Sequence, residues 1–328
     1  MAPRTSDTQP DAQAVQQAIA WMVRLQSGAA THADYEACVH WRAARADHER
    51  AWTRLEALGA RVKELPSVLA HATLDDSAAI RRKYGRRDAM KALGLLAGIG
   101  IVSLAGTKIT PWQTLFADFS TGIGERRWIT LADGTRIHLN THTALDARYD
   151  DDHRRVRLHR GEILITTARD PSARHRPFSV ETRLGGIRAL GTRFLVRDLG
   201  DTILVAVFEG AVEVTPDGHS QTVRIDAGEQ WLFGDDTTRP KIAADPDAAA
   251  WIDGAIVARR MRLGTLVAEL DRYYPGKLRC DPSVAALEIS GVFPIEDPAR
   301  VLAAIARTLP VRVDTFTPYW VTLRAAAT

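Results

Sequence analysis

One segment limits every architecture open to this chain. Ala92–Thr107 is a run of sixteen residues without a charge, rich in Leu, Ile, Ala and Gly. A membrane span takes about 20 apolar residues, so the run alone fits a buried core helix as readily. Ala89 and Met90 extend it, Lys91 can snorkel, and Ile109, Pro111 and Trp112 suit the far interface. The flank tips the balance. Arg81, Arg82, Lys83, Arg86, Arg87 and Lys91 precede the run against a single acid, Asp88, while the far side starts nearly neutral. That asymmetry sets the N-terminus inside.

The stretch Gly85–Lys91, with Arg86, Arg87 and Lys91, also has the form of a twin-arginine export signal, although Ala89 replaces the usual aromatic residue. A plain positive-inside flank explains the same arginines. Ser103-Leu104-Ala105 has the small residues of a signal-peptidase site, but about 85 residues precede the segment, which favours an uncleaved anchor over a removed leader.

The chain of 328 residues, 45% hydrophobic and 25% charged, has room for two or three folded units. A net charge of +3 and a pI near 9.0 give nucleic-acid binding no support from bulk charge. Cys38 and Cys280 are the only cysteines, which excludes a disulfide framework and a cysteine zinc site.

Four regions follow. Residues 1–80 form a helical domain and a tether; 81–110 are the basic flank and transmembrane helix; 111–246 are β-rich; 247–328 are a βαβ module. In the first, Val15, Ile19, Trp21, Met22 and Leu25 fall close to a helical face that ends at Ser27-Gly28. Thr31 and Asp34 make a capping-box-like start for a second helix. A third runs from Asp47 to about Leu58, stopping at Gly59. At least two of Trp21, Trp41 and Trp52 read first as core, and His48 as a capping or packing residue.

From about Phe116 the period becomes two. Trp128–Leu131 and Arg136–Asn140 alternate around Asp133-Gly134, a hairpin signal. Further strands are expected at Val156–Leu158, Ile163–Thr166, Phe178–Glu181, Ile187–Val196, Ile203–Phe208, Ala211–Val214, Val223–Ile225 and Gln230–Phe233, with bends at Gly161, Gly210 and Gly228. The last unit opens with a helix bearing Leu263, Leu266, Val267 and Leu270. Strands Lys277–Cys280 and Leu287–Phe293 follow, then a helix capped by Asp297 with Pro298 at its first position, then Val311–Thr315 and Trp320–Leu323.

No G-x-S-x-G, P-loop, H-E-x-x-H or dinucleotide glycine pattern occurs in the chain. His138 and His142 would share a face if their strand continued, and His153 and His159 are near in sequence, but no acid completes a triad. Neither a metal nor a cofactor is expected.

These parts converge on one family. Trp21-x-x-x-Leu25-x-Ser27-Gly28, Trp41, and His48-x-x-Ala51-Trp52, followed by a basic-flanked span and a glycine-bent β-domain, resemble the FecR-type regulators of iron uptake. These are membrane anti-sigma factors of Gram-negative bacteria, and the order of parts is more specific than any single motif. The resemblance implies a multi-domain fold. It would comprise a small all-α cytoplasmic bundle, one transmembrane helix, an all-β FecR-like periplasmic domain, and a C-terminal α+β module of the secretin/TonB short N-terminal type. It implies as partners an extracytoplasmic-function sigma factor inside, with Trp21, Trp41, His48 and Trp52 as candidate contacts. Outside, the partner would be the N-terminal signalling domain of a TonB-dependent siderophore receptor. Membrane proteases would act between them, and nucleic acid would not be bound directly. In some relatives the released inner fragment is needed for sigma activity, so either sign of regulation is open.

Ile187-Arg-Ala-Leu-Gly191-Thr192-Arg-Phe194 further resembles a self-cleaving subset, the ferrioxamine-responsive regulators being the nearest relatives on this reading. There the Thr192 hydroxyl would attack the Gly191 carbonyl in an N-to-O acyl shift, and water would open the ester. The bland alternative is a strand kink. The competing function is a soluble periplasmic β-domain, an enzyme or a sugar-binding protein, exported by the twin-arginine route and cut at Ala105. A cytosolic DNA-binding regulator would need a basic recognition helix that the sequence lacks.

Overall fold

A computed structural model describes residues 12–26, 30–63, 117–172, 175–234, 240–317 and 319–326. The chain divides into two compact units, Met1–Phe116 and Ala117–Thr328. The expected tether, the basic flank with Arg86, Arg87 and Lys91, and the uncharged run 92–107 lie outside the described residues. Among the described residues, no helix is long and apolar enough to cross a membrane.

In the first unit the helical periodicity becomes α1 (Ala12–Gln26), α2 (His32–Ala44) and α3 (Ala46–Lys63). The start of α2 is the one expected: Asp34 accepts from Thr31 N at 2.9 Å and from Thr31 Oγ1 at 2.8 Å. These bonds from Thr31, with the charge of Arg24, hold the Asp34 carboxyl below its ordinary value. Ala14, Val15 and Ala18 of α1 pack with Ala51 and Leu55 of α3. Small residues on α1 let the two helices approach closely. Helix α3 runs through Gly59 rather than stopping there, because an isolated glycine costs a helix only about 1 kcal/mol.

The second unit starts with fourteen strands. They are β1 (Phe119–Ser120), β2 (Arg127–Thr130), β3 (Arg136–Leu139), β4 (Ala144–Tyr149), β5 (Arg154–Arg160), β6 (Glu162–Thr166) and β7 (Phe178–Thr182). Then come β8 (Gly185–Ala189), β9 (Arg193–Asp198), β10 (Thr202–Glu209), β11 (Ala211–Pro216), β12 (Val223–Asp226), β13 (Glu229–Gly234) and β14 (Ile242–Ala243). They make two seven-stranded sheets, in the orders β1-β4-β5-β7-β8-β11-β12 and β14-β13-β10-β9-β6-β3-β2. Alternate residues of both, among them Ile137, Val156, Phe178, Ile187, Phe194 and Val212, fill the core between them. The hairpin at Asp133-Gly134 forms as expected, β2 pairing antiparallel with β3.

The chain passes repeatedly from one sheet to the other, and the glycine bends are those passages. Gly161 joins β5 to β6, Gly210 joins β10 to β11, and Gly228 precedes β13, each with positive φ. One expectation is corrected by the same rule. Ile187–Val196 is not one strand: β8 pairs with β7 and β11 in the first sheet, and β9 with β6 and β10 in the second. Gly191, at φ +78°, is the corner between them. Ile187–Leu190 and Phe194–Val196 are each strand-like, and a lone glycine between them does not reveal the change of sheet. Strand β4 lacks an apolar run in the sequence because one of its middle residues is Asp146, which is buried against His159 at 2.9 Å.

The remainder of this unit is β15 (Ala255–Arg262), α4 (Leu263–Asp271), β16 (Lys277–Cys280), β17 (Glu288–Pro294), α5 (Pro298–Thr308), β18 (Val311–Thr317) and β19 (Trp320–Ala325). It opens with a short 3-10 turn, Ala250–Asp253, and with strand β15, which pairs with β17, rather than with a helix. Helices α4 and α5 bury Leu266, Leu270, Leu302 and Ile305 against Val311 and Leu323 of the sheet β16-β19-β18. The Asp297 cap holds: its carboxylate accepts from Arg300 N at 2.9 Å.

This C-terminal part covers the outer face of the second sheet. Trp251, Tyr273 and Ile295 pack on Leu164, Leu195 and Ala206. A polar network crosses the same joint. Arg272 bonds Glu162, and its other nitrogen reaches Glu269 at 2.9 Å. Arg197 reaches Glu269 at 2.8 Å. Asn140 Nδ2 donates to Glu162 at 2.8 Å, and Tyr273 OH to Asn140 Oδ1 at 3.0 Å. Burial alone would raise the Glu269 carboxyl, but the charges of Arg197 and Arg272 outweigh it and hold it below its ordinary value.

Candidate functional site

The corner at Gly191-Thr192 joins a solvent-exposed carbonyl residue to a buried hydroxyl. Gly191 is exposed, whereas Thr192 is buried at 4% exposure. Positive φ at Gly191 turns the chain out of the first sheet, at a cost of about 1–2 kcal/mol to any residue with a Cβ. Gly210, the neighbouring corner, packs so closely on it that an added Cβ would stand 2.2 Å from the Gly191 carbonyl oxygen. Two further contacts fix Thr192. Its backbone N–H donates to Thr167 Oγ1 at 2.8 Å, while its carbonyl accepts from Thr167 N at 3.0 Å and Thr167 Oγ1 at 3.2 Å. Its own hydroxyl reaches the Ala211 carbonyl at 3.4 Å, a long and weak bond. Among the described residues, no carboxylate or imidazole bonds this hydroxyl. The arrangement therefore supplies a nucleophile next to a carbonyl and a fixed amide nitrogen, without a conventional base.

In the helical unit, the four expected residues divide. Trp41 stacks on His48 with ring centroids 4.4 Å apart, and His48 Nδ1 lies 2.7 Å from the Trp41 carbonyl oxygen, which makes His48 a packing residue. Trp41 Nε1 donates to Gln17 at 2.8 Å, tying α2 to α1. Trp52 is buried under the Arg42 guanidinium, which Glu49 grips with bonds of 2.8 and 2.7 Å. Trp21 is half-buried near Arg24. The apolar surface that remains exposed belongs to α2 instead: Tyr35 at 51% and Val39 at 62%, one turn apart. Val39, Arg42, Ala43, Arg45, Ala46 and Glu49 line an open groove of about 500 Å³ there. Tyr35 and Val39 continue the second helix with mixed spacing and are not among the expected contacts, although a Tyr and a Val four apart outside the core-facing pattern are the available signal.

The histidines of the β-domain do not assemble. Strand β3 ends at Leu139, so His138 and His142 share no face, and His142 sits in a turn with φ +52°. Burial pushes both imidazoles below their ordinary value, with nearby arginines adding to it. His159 pairs with Asp146, and His153 stands 3.4 Å from Asp150. Among the described residues, no group of three metal-ligating side chains comes together.

The family model for the FecR protein matches residues 117–213, from just before β1 into β11. That segment is similar to the FecR protein. A domain of unknown function, DUF4880, matches residues 16–58, the three helices of the first unit. Among solved structures, two of a "putative anti-sigma factor" from Parabacteroides distasonis ATCC 8503, at 2.50 and 1.65 Å, are similar to this chain at 26% identity. Each has a TM-score of 0.53 over 64% of this chain, and 98% and 99% of those chains are covered. Among curated proteins none matches. The FecR match contains the Gly191-Thr192 corner and Thr167, and stops before β12–β14, which complete both sheets.

Proposed function

We propose that this chain is a membrane-anchored anti-sigma regulator. The observation that carries the reading is the FecR-type double sheet, joined in one unit to the βα module, together with its likeness to the Parabacteroides distasonis protein over nearly all of that protein's length. The three-helix unit binds an extracytoplasmic-function sigma factor in the cytoplasm. Its exposed Tyr35 and Val39 beside the groove offer the apolar contacts that helix-in-groove recognition uses, with buried Trp52 and stacked Trp41 and His48 supporting the fold behind them. The run 92–107 crosses the inner membrane, with Arg86, Arg87 and Lys91 on the inner side. The double sheet and the C-terminal module face the periplasm, where the signalling domain of a TonB-dependent siderophore receptor engages them. Membrane proteases release the inner fragment.

The reading includes one self-inflicted cut. Thr192 Oγ1 adds to the Gly191 carbon, the peptide C–N bond breaks to leave an ester and a free amine, and water hydrolyses the ester. A nucleophile next to a positive-φ glycine at a tight corner supports this chemistry; Gly161-Glu162, Gly210-Ala211 and Gly228-Glu229 share the corner but lack the nucleophile.

The test is a chain tagged at both ends, followed in fractionated cells and in spheroplasts treated with protease. The expected result is an N-terminal tag protected in the membrane fraction that co-purifies with an extracytoplasmic-function sigma factor. A separate C-terminal piece beginning at Thr192 should be digested from outside, and Thr192→Ala should abolish it. A soluble product beginning near Gly106, with no membrane-bound inner domain, would overturn the proposal in favour of an exported β-domain.

A further inference from the structure

The self-cleavage reading leaves one step without an agent, and this inference rests on that reading. An amide nitrogen is a poor leaving group: as the C–N bond breaks, its electron pair must be met by a proton. General-acid help at that point speeds such steps by about 10²–10⁴-fold. No histidine, carboxylic acid or lysine among the described residues bonds the Gly191-Thr192 amide. A hydroxyl does.

We infer that Thr167 is the residue that protonates the departing Thr192 nitrogen. Thr167 Oγ1 lies 2.8 Å from that nitrogen, the distance of a formed hydrogen bond, and it is the side-chain atom seen on it. Its proton already points toward the same residue, since Thr167 Oγ1 also donates to the Thr192 carbonyl at 3.2 Å. A second bond, Thr167 N to the Thr192 carbonyl at 3.0 Å, fixes the backbone that carries the hydroxyl. The pair thus caps the β6–β9 ladder, in which Thr166 stands opposite Arg193. In the resting amide the nitrogen donates, because its lone pair is delocalised into the carbonyl. Once Thr192 Oγ1 has added to the Gly191 carbon, that lone pair is localised and basic. As the nitrogen pyramidalises, its lone pair turns toward Thr167 Oγ1, whose proton swings from the Thr192 carbonyl to the nitrogen, and the direction of the hydrogen bond reverses.

The step balances with water as the only co-reactant. The Thr192 hydroxyl proton leaves to water as the C–O bond forms. The C–N bond breaks with its pair going to nitrogen, which takes the Thr167 proton. Thr167 regains a proton from water, for which it is only half-buried beside the exposed Gly191. A further water divides the ester into the Gly191 carboxylate and the Thr192 hydroxyl.

The experiment follows fragment appearance by pulse-chase of the full-length, doubly tagged chain in cells, with hydroxylamine added in parallel because it cuts esters and spares amides. Wild type and Thr192→Ala establish that self-cleavage occurs; an uncut wild type, or equal cutting in Thr192→Ala, would sink the cleavage reading itself. Given cleavage, Thr167→Val and Thr167→Ala should each slow it about 100-fold or more, and Thr167→Ser should restore most of the rate. Hydroxylamine should not rescue Val or Ala, since without the proton no ester accumulates. Either variant cutting at the wild-type rate overturns the assignment. So does rescue by hydroxylamine, which would put Thr167 in the later hydrolysis. Slowing that Thr167→Ser fails to relieve also overturns it, by reducing the residue to packing.

Discussion

Removing the Arg272 charge tests how firmly the double sheet and the C-terminal module are one body. Arg272 is the cation shared by Glu162 on β6 and Glu269 on α4, and the Glu162 side chain is 3% exposed. Arg272→Met keeps most of the aliphatic stem, removes the guanidinium that lies over the Tyr273 ring, and leaves the buried Glu162 carboxylate with the Asn140 amide as its side-chain partner. Stranding one member of a buried pair costs about 3–5 kcal/mol. Glu269 keeps Arg197 at 2.8 Å, so the loss falls on Glu162 and belongs at the lower end, about 3 kcal/mol. For a unit of this size each kcal/mol moves Tm by about 2–4 °C, so a fall of about 6–12 °C is expected. The assay is thermal unfolding of residues 117–328 by circular dichroism and tryptophan emission, in a Thr192→Ala background that keeps the chain continuous. Glu162→Gln added to Arg272→Met removes the stranded charge and should recover more than half of the loss, a coupling of about 2–3 kcal/mol between neighbours. A single variant as stable as its parent, or a double variant no better than the single, would refute the claim that this ion pair joins the two parts.

Three further outcomes follow from the same structure. If the chain is cut at Gly191, the pieces should elute together in native gel filtration and part only in denaturant: β8 remains paired with β11 and β9 with β6, across both sheets. Gly210→Ala should lower Tm and slow cleavage well beyond Gly218→Ala. Both have φ near +75°, but only at Gly210 does the new Cβ strike a carbonyl oxygen, while at Gly218 it meets nothing within 4 Å. The stability of the second unit should fall as the pH drops below about 4. Burial would raise the Asp133 carboxyl, but bonds from Thr135, Arg154 and Tyr149 hold it below its ordinary 3.8. A carboxyl depressed by folding stabilises above its unfolded value and loses that contribution as pH falls through the folded one. Asp133→Asn should therefore lower Tm at neutral pH and flatten the acid limb of a Tm-against-pH series.

What the sequence made legible depended on whether the signal was local. The capping of α2 by Thr31 and Asp34, the hairpin at Asp133-Gly134 and the Asp297 cap each need only four or five adjacent residues, and each is present. Ile163-Leu-Ile165 and Phe194-Leu-Val196 are apolar throughout because alternate residues enter two different cores. Ile163, Ile165, Phe194 and Val196 face the other sheet, while Leu164 and Leu195 face Trp251 and Tyr273. A strand buried on both faces loses its period of two, and with it the mark that a corner would have interrupted. That is why the covering module leaves no mark in the pattern of β6 and β9, whereas Gly191 reads as a strand interior because a lone glycine between two strand-like stretches does not show the change of sheet. The partners of the Gly191-Thr192 corner were illegible for a different reason: Thr167 precedes Thr192 by 25 positions and Gly210 follows Gly191 by 19, joined only by pairing across strands. A glycine-threonine step is thus readable as a candidate from sequence, but what could make it reactive is supplied by residues that carry no mark of their own until the two sheets close.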